Sequence, residues 1–353
     1  MSSQFVFTMS CLLVGWSLGL VTESHTREHW KPSQSQSIVI MTFNIWNSGA
    51  NVEDGLFKIA KHILYVYPDI VALQEVMATG FLNIILRHLG PEWTAAEAND
   101  SYPDVAILTR HKIVSWSDWV ADGHAWPAGY MWAHIRISRL EGHYLVNFWN
   151  VHLDWRDYGP YAACNKLVTK AEQIDAGEWG TGRPDFGRAQ QISLLVNSKA
   201  FVQHLSESNT VPLFLAGDLN SPSHLDWTRD TKWKNCDWVY AWPTTLQLIK
   251  VGLKDSYREI YPNPLTQPGL TWSTVRKGQE GWNGTIPEPQ ERIDMIFYKS
   301  SVWYPTQVVV YNGYKNIVPY PDHYKNDWPS DHYAVVAQFS NAMSNYLKSS
   351  YSK

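Results

Sequence analysis

Short apolar runs recur along the chain, and most of them end abruptly at a polar side chain. The run Pro212–Ala216 stops at the phrase GDLNSP, and this pattern predicts a buried strand that carries Asp218 and Asn220 into a loop. Because side chains alternate along an extended chain, Asp218 and Asn220 point to the same side. Such a pair can orient a water molecule or hold a phosphate oxygen beside a cation. An Asx turn that only closes a strand would use the same residue types, so this phrase alone leaves both interpretations open.

Other predicted strands repeat this ending. The strand-like runs are Ser37–Phe43, Ile70–Leu73, Val105–Leu108, Ile113–Ser115, Tyr130–Ile137, Tyr144–Trp149, Thr271–Ser273, Glu291–Phe297 and Ala334–Phe339. Two packed sheets would bring the polar residues at or beside these strands to one rim. These residues are Asn44, Glu75, His152, Asp218, Asn220, Asp294, Asp331 and His332.

The remaining segments divide into helices and loops. Apolar residues at helical spacing predict helices over Leu56–Tyr67, Gly80–Leu89, Arg188–Leu205 and Thr245–Val251. We expect the runs Val105–Leu108 and Ile113–Ser115 to form a strand pair around Arg110. Two stretches without periodicity, Arg156–Gly187 and His224–Trp242, are predicted to be long loop excursions. No composition shift marks a boundary inside 37–340, which predicts one domain followed by a polar tail, 341–353.

Composition and the first residues indicate export. The chain has 353 residues and a net charge of −4, which supplies no overall attraction to nucleic acid or to an anionic membrane. The apolar run 5–21 has the length of a signal peptide, so we assign 1–24 to a signal peptide and 25–36 to a linker, and we expect a secreted, extracellular protein. No Lys or Arg precedes that run, and a signal anchor is the lesser alternative.

Cysteines and glycan acceptors are consistent with export. Cys11 would leave with the signal peptide, and Cys164 and Cys236 would then suggest one disulfide, or else two free and buried thiols. Asn99 and Asn283 lie in acceptor motifs for N-glycosylation. The chain also has 19 tryptophans and 19 tyrosines, more than a core requires, so we expect part of them to line a recognition surface.

Six phrases, in this order, carry a family resemblance: TFNIW, LQEV, NVHLDW, GDLNS, RIDMIF and SDHY. Together they resemble the endonuclease/exonuclease/phosphatase superfamily over roughly Ser37–Phe339, and the chain looks like a little-characterised secreted branch of it. The resemblance implies an α/β fold of α+β type: a four-layer αββα sandwich with two packed mixed sheets between helices. It also implies a divalent cation and hydrolysis of a phosphoester.

The same resemblance implies residue roles. Asn44 and Glu75 would hold Mg²⁺ or Mn²⁺, hard cations that favour oxygen ligands. Asp218 would position or deprotonate the attacking water, and Asn220 and His152 would donate to phosphoryl oxygens. His332 would act on the phosphate or the water, with Asp294 or Asp331 orienting its ring.

The substrate is less well indicated. The segment Gln290–Asp294 replaces a phrase that inositol 5-phosphatases carry, which argues against that branch. A nuclease needs basic side chains along several phosphates, and few lie near the motifs. The residues we expect to contact substrate are Arg110, Trp155, Trp227 and Trp272.

The sequence therefore predicts a secreted, monomeric, metal-dependent phosphoric ester hydrolase, more narrowly a phosphodiesterase, whose partner is a small-molecule or nucleic-acid phosphoester. Three alternatives stay open: an extracellular deoxyribonuclease-like endonuclease, a sphingomyelinase-type phospholipase C, and a catalytically silent module that binds ligands through aromatic loops.

Overall fold

The computed structural model describes residues 37–98, 102–118, 129–139, 142–184, 186–278 and 287–342. The predicted signal peptide, the linker and the acceptors Asn99 and Asn283 lie outside these ranges, as does the tail beyond residue 342. Within the described residues, no helix has the length and apolar character needed to cross a bilayer.

The elements follow one another along the chain with strands concentrated in its first half and at its end. The strands are β1 (Ser37–Asn44), β2 (Ile70–Val76), β3 (Thr94–Glu97), β4 (Asp104–Thr109), β5 (Lys112–Asp118), β6 (Tyr130–Arg139), β7 (Gly142–His152), β8 (Leu213–Asp218), β9 (Lys254–Asp255), β10 (Asp294–Lys299), β11 (Trp303–Tyr311) and β12 (Ala334–Asn341). The helices are α1 (Trp46–Gly49), α2 (Gly55–Val66), α3 (Thr79–Leu89), α4 (Gly159–Cys164), α5 (Ala171–Glu178), α6 (Arg188–Asn197), α7 (Lys199–Glu207), α8 (Pro243–Lys250) and α9 (Ser256–Ile260), with a 3₁₀ turn at Asp322–Lys325.

The strands form two six-stranded mixed sheets. Sheet A has the order β11-β12-β1-β2-β4-β3, and sheet B has the order β5-β6-β7-β8-β10-β9. In each sheet one central pair is parallel, β1 with β2 and β7 with β8. The carboxyl ends of these parallel pairs deliver Asn44, His152 and Asp218, which are the side chains the sequence singled out.

Alternation along the strands builds three apolar layers. In β1, Ile38 and Ile40 face sheet B, whereas Val39 and Met41 face the helices α2 and α3. The outer face of sheet B packs in the same way against α6, α7 and α8. Helices thus cover both outer faces of two packed sheets, and the predicted four-layer sandwich is confirmed.

The expected pairing around Arg110 is wrong. The two runs are strands, but β4 pairs with β2 and β3 in sheet A, while β5 pairs with β6 in sheet B. The short link between them crosses from one sheet to the other: β4 is buried along its whole length in sheet A, whereas β5 is the largely exposed edge strand of sheet B.

Two helix predictions also need correction. The predicted helix Arg188–Leu205 is two helices, because Ser198 is extended and its hydroxyl accepts the amide of Phe201 at 3.3 Å, which caps α7. The first excursion contains α4 and α5. Strand β11 was not predicted, since Pro305 interrupts its pattern; it lies at the edge of sheet A with a bulge at that proline.

The two excursions are joined covalently. Cys164 and Cys236 form a disulfide, with Cα atoms 5.0 Å apart and 72 positions between them in sequence, so the paired alternative is confirmed. Around it lies a satellite core separate from the three main layers. Its buried members are Ala163, Ile174, Trp227, Tyr240 and Trp242.

Candidate active site

Three adjacent strands of sheet B place their functional side chains side by side. In the strand register His152 lies opposite Asp218, and Asp218 lies opposite Asp294. Asp218 occupies the middle strand and is 1% exposed, so its carboxylate lies at the bottom of the site.

Gly217 is required at this point of β8. Its φ is +154°, and a Cβ added there would lie 1.9 Å from the carbonyl oxygen of Val151 on the neighbouring parallel strand. The glycine lets β7 and β8 approach closely enough to set His152 beside Asp218.

Sheet A contributes Asn44 and Glu75 from the ends of β1 and β2. The register of β2 against β4 shifts between Gln74 and Val76, so Glu75 is the extra residue of a bulge, and its φ is 62°. This conformation is uncommon for a glutamate, and it turns the carboxylate toward the rim. The Glu75 carboxylate accepts the side-chain amide of Asn44 at 3.0 Å and the backbone amide of Asn47 at 2.6 Å.

Asn44 ties the two sheets together at the site. Its Nδ2 donates both to Glu75 Oε1 and to Asp218 Oδ2, each at 3.0 Å. Its Oδ1 accepts the backbone amide of Trp46, and its carbonyl accepts the hydroxyl of Ser330 at 2.7 Å. A fully buried amide thereby fixes the distance between the carboxylates of sheet A and sheet B.

Two imidazoles, each paired with a carboxylate, converge on Asp218. His332 Nδ1 lies 3.0 Å from Asp294 Oδ2, and His152 Nδ1 lies 2.9 Å from Asp104 Oδ1. The two Nε2 atoms lie 3.7 Å and 3.8 Å from the same Oδ2 atom of Asp218. These separations are longer than hydrogen bonds, so neither Nε2 is committed to Asp218, and both aim at one point in front of it.

The surrounding carboxylates keep both imidazoles protonated. Burial by itself lowers the pKa of His152, but Asp104, Asp218 and Glu75 outweigh it and raise that pKa to about 10. Burial also opposes the charge on His332, and Asp294, Asp218 and Asp331 outweigh it, so the pKa of His332 lies well above its ordinary value. At neutral pH the site presents two cationic donors to an anion.

Asp331 does not orient the ring of His332. Its Oδ1 lies 4.0 Å from His332 Nε2, whereas Asp294 contacts Nδ1, so the ring is oriented by Asp294. Burial, with the nearby charge of Glu75, raises the pKa of the Asp331 carboxyl. Its Oδ1 is buried and has no hydrogen-bond partner among the described residues, as is also true of Asp294 Oδ1.

These oxygens suit a hard cation. Glu75, Asn44 and Asp331 offer carboxylate and amide oxygens, and a cation would satisfy the orphaned oxygen of Asp331. Asp218, Asp294 and His332 also place one ligand atom each within 4.8 Å of one another. We favour the first set, because it supplies oxygen ligands only, which hard cations prefer to an imidazole nitrogen.

Asn220 supports the site from the side. Its backbone amide donates to Asp218 Oδ1 at 2.8 Å, and its Nδ2 donates to the carbonyl of Leu153 at 2.9 Å. The expected donation to a phosphoryl oxygen is therefore limited to the remaining N–H of the amide. Through these two hydrogen bonds, Asn220 links the loop after β8 to the loop after β7.

The predicted substrate contacts fare unequally. Trp272 is half-buried with its ring centroid 6.3 Å from that of His332, and Tyr158 packs edge-on to it at 5.8 Å. Trp155 is 70% exposed. The ring of Trp272 therefore lies beside His332, whereas the contact of Trp155 with substrate stays a prediction.

Two predicted contacts are wrong. Arg110 donates to the carbonyls of Tyr67 and Pro68 and pairs with Asp69. These three partners precede β2, whereas Glu75 lies near its end, so Arg110 lies at the opposite end of sheet A from Glu75. Trp227 is 1% exposed in the satellite core, and its Nε1 donates to Glu291 at 3.1 Å. Its position in a tryptophan-rich loop does not imply exposure, because the loop folds over its own apolar residues.

Asp104 belongs to the candidate site through its contact with His152, and the sequence pattern did not indicate it. It stands at the start of an apolar run rather than at its end, and β4 is antiparallel to β2, so its first residue reaches the same rim as the last residues of β2. An acidic residue at the start of an apolar run is the sequence feature that could have indicated Asp104, because the start of an antiparallel strand lies beside the end of its neighbour.

A cavity of about 430 Å³ lies beside the site rather than in it. Three of its six charged lining residues, Asp226, Arg258 and Arg292, bind one another: Asp226 accepts from Arg258 Nε at 2.6 Å and from Arg292 Nε at 2.9 Å. This network anchors the second excursion to the strand that carries Asp294.

Comparison with known proteins agrees with the geometry. The model of the family described as "Endonuclease/Exonuclease/phosphatase family" matches residues 41–332. An uncharacterized protein of Caenorhabditis elegans is 48% identical over 308 residues, which cover 87% of this chain and 93% of that protein.

Several solved structures share the fold. TDP2 from C. elegans has a TM-score of 0.56 at 17% identity, covering 88% of this chain and 77% of that one. D. rerio TDP2 complexed with single-strand DNA product has a TM-score of 0.54 at 15% identity, covering 87% and 100%. The human Nocturnin catalytic domain with bound sulfate has a TM-score of 0.50 at 16% identity, covering 87% and 94%. At these identities the likeness establishes the fold alone.

Proposed function

Because the chain belongs to the endonuclease/exonuclease/phosphatase family, we propose that it is a secreted, divalent-metal-dependent phosphodiesterase. Members of this family are generally metal-dependent hydrolases of phosphoesters. The observation that carries the proposal is the convergence of two carboxylate-paired imidazoles on Asp218, with Nε2 atoms 3.7 Å and 3.8 Å from one oxygen. A silent binding module would have no need of this arrangement.

The chain's own residues account for most of the chemistry. The protonated Nε2 atoms of His152 and His332 donate to phosphoryl oxygens, whose negative charge grows in the transition state. Asp104 and Asp294 hold the rings so that Nε2 faces the phosphate. Asp218, fixed by Asn44, accepts a hydrogen bond from the attacking water and orients it toward phosphorus.

The cation would be held by Glu75, Asn44 and Asp331. When bound, Mg²⁺ or Mn²⁺ polarises the phosphoryl group and neutralises part of its charge.

A small phosphodiester is favoured over a long nucleic acid. Arg110 lies at the far end of sheet A, and Arg276 is the basic side chain near Asp331 in the described part of the site. With Arg110 at the far end of sheet A, a long nucleic acid loses one of the few basic side chains that the sequence offered for its phosphates. The ring of Trp272, backed by Tyr158, offers a flat surface to a planar or apolar leaving group.

One observation favours an endonuclease as the second candidate. Trp46 follows Asn44 by two residues and packs on His323 at 5.2 Å, which stacks on Tyr320 at 5.3 Å. Arg276 lies over the Tyr320 ring at 5.4 Å. Such a column of rings can stack successive bases.

The test is hydrolysis by the secreted protein of bis(p-nitrophenyl) phosphate, p-nitrophenyl phosphate, plasmid DNA, RNA and sphingomyelin, each with Mg²⁺ and with chelator. We expect chelator-sensitive turnover, fastest on the small diester, and a higher half-saturating Mg²⁺ concentration for Glu75→Gln. Preferred cleavage of DNA or RNA would select the second candidate. Turnover that survives chelation would overturn the metal-dependent mechanism.

A further inference from the structure

The disulfide and the satellite core bring the tips of the two excursions together. Cys164 is bonded to Cys236, and Val168 and Trp238 both pack against the satellite core. We call the surface formed by residues 164–172 and 228–239 the basic tip. It is one connected surface, because the bonded cysteines have Cα atoms 5.0 Å apart.

Large apolar side chains of the basic tip face solvent. Trp233 is 69% exposed, Leu167 is 58% exposed and Val239 is 52% exposed. The one ring contact recorded for Trp233 among the described residues is with its own neighbour, the ammonium group of Lys234, at 5.4 Å. A tryptophan with most of its surface in water contributes little to the fold, so its exposure calls for another explanation.

Basic residues surround these apolar side chains. Two segments that together span the basic tip hold five basic and three acidic residues, a local positive excess in a chain whose net charge is −4. The lysines Lys166, Lys170, Lys232 and Lys234 are exposed. Lys232 and Lys234 flank Trp233 in sequence, and Lys166 precedes Leu167; the ammonium group of Lys234 donates to the carbonyl of Leu265 at 3.4 Å.

This composition matches the interface of an anionic bilayer. Tryptophan favours the headgroup level of a membrane, where its ring is buried and its N–H stays hydrated. Lysines beside it gain energy from the negative surface potential of anionic lipid. An acidic protein partner would pair with the lysines but would leave the mixture of Trp233, Leu167 and Val239 without a matching apolar surface of defined shape.

We propose that the basic tip docks the protein on a membrane surface that carries anionic phospholipid. Binding is peripheral: Trp233 and Leu167 enter the headgroup region, and the lysines contact lipid phosphates. None of the residues placed at the catalytic rim belongs to the basic tip, so variants of the tip test docking without changing the catalytic side chains.

Sedimentation with vesicles tests this docking. We expect the protein to bind vesicles of phosphatidylcholine mixed with phosphatidylserine at low salt, and to bind vesicles of phosphatidylcholine alone much less. The double variant Lys232→Glu/Lys234→Glu should weaken binding by at least about tenfold, since each lysine near the surface contributes several-fold in affinity. Trp233→Ala should weaken it by about tenfold, because it removes the largest inserted side chain.

Matched controls lie on the edge strand β5. Trp116→Ala removes a tryptophan that is 40% exposed, and Lys112→Glu reverses an exposed lysine. Both should bind vesicles like the wild type, and thermal melting checks that every variant is folded. Equal binding to both kinds of vesicle, or full binding by Trp233→Ala, would overturn the proposal. Retention on a heparin column that depends on the lysines, without vesicle binding, would assign the surface to an acidic polymer instead.

Discussion

At the scale of single residues, the site is a set of side chains whose charges are fixed by their neighbours. Asp218 accepts from Asn44 and from the backbone of Asn220, and the two imidazoles stand just beyond hydrogen-bond reach. The sequence could indicate which residues belong to this set, because a polar side chain after an apolar run is visible in one dimension. It could not indicate that Asp294, rather than Asp331, orients His332, because that choice depends on a distance across two sheets.

Asp104→Asn tests the role of the residue that the sequence reading missed. The asparagine keeps the shape but removes the charge that raises the pKa of His152 to about 10. We expect kcat/KM to fall by about a hundredfold at neutral pH.

The pH dependence of kcat/KM shows whether His152 acts in its protonated form. His152 with a raised pKa stays protonated through neutral pH and loses its proton as pH rises through about 10, so its deprotonation sets an alkaline limb of the wild-type activity. In Asp104→Asn the alkaline limb of kcat/KM should move to lower pH. An unmoved limb would show that His152 does not act as a protonated donor.

At the scale of elements, strand ends are predictable and strand partners are not. Apolar runs located β1, β2, β7, β8, β10 and β12 closely, since buried strands require them. The sequence predicted that β4 pairs with β5, because two strands joined by a short link usually form a hairpin. The same short link is found when the chain passes from one sheet to the other. The bulge at Glu75 was likewise invisible, since it arises from the register between β2 and β4.

Gly217→Ala tests how closely β7 and β8 must approach. The added methyl group would lie against the Val151 carbonyl, so the strands must separate or twist, at a cost of about 1–3 kcal/mol in the free energy of unfolding. Because Asp218 is the next residue, we expect kcat to fall far more than the loss of folded protein explains. Chemical denaturation together with kinetics on the folded fraction separates the two effects; wild-type kcat with wild-type stability would contradict the tight register.

At the scale of the whole molecule, the sandwich supplies a rigid rim and the excursions supply its surroundings. The resemblance in six phrases was enough to predict four layers, because those phrases lie at the strand ends that the fold brings together. It did not predict the satellite core. From the sequence we expected its tryptophans to line a recognition surface, but in the structure Trp227 and Trp242 are buried. Trp227 and Trp242 illustrate this, with ring centroids 4.9 Å apart and nearly perpendicular planes.

The disulfide should stabilise the protein without being part of its chemistry. It closes a loop across 72 positions, so the double variant Cys164→Ala/Cys236→Ala should lower the free energy of unfolding by about 3–4 kcal/mol. We expect hydrolysis of the small diester to persist in the folded variant, because the residues of the rim lie on the sheets. Urea denaturation measures the first effect. Complete loss of activity in a variant that is still folded would show that the excursions form part of the catalytic site.

The central claim is that His332 and its paired carboxylate act on a metal-bound phosphoester. The most direct measurement compares kcat/KM for Mg²⁺-dependent hydrolysis of bis(p-nitrophenyl) phosphate by the wild type, His332→Ala and His88→Ala, the last an exposed histidine on α3 outside the site. We expect a loss of about a thousandfold for His332→Ala and wild-type activity for His88→Ala. Undiminished hydrolysis by a folded His332→Ala protein would contradict it.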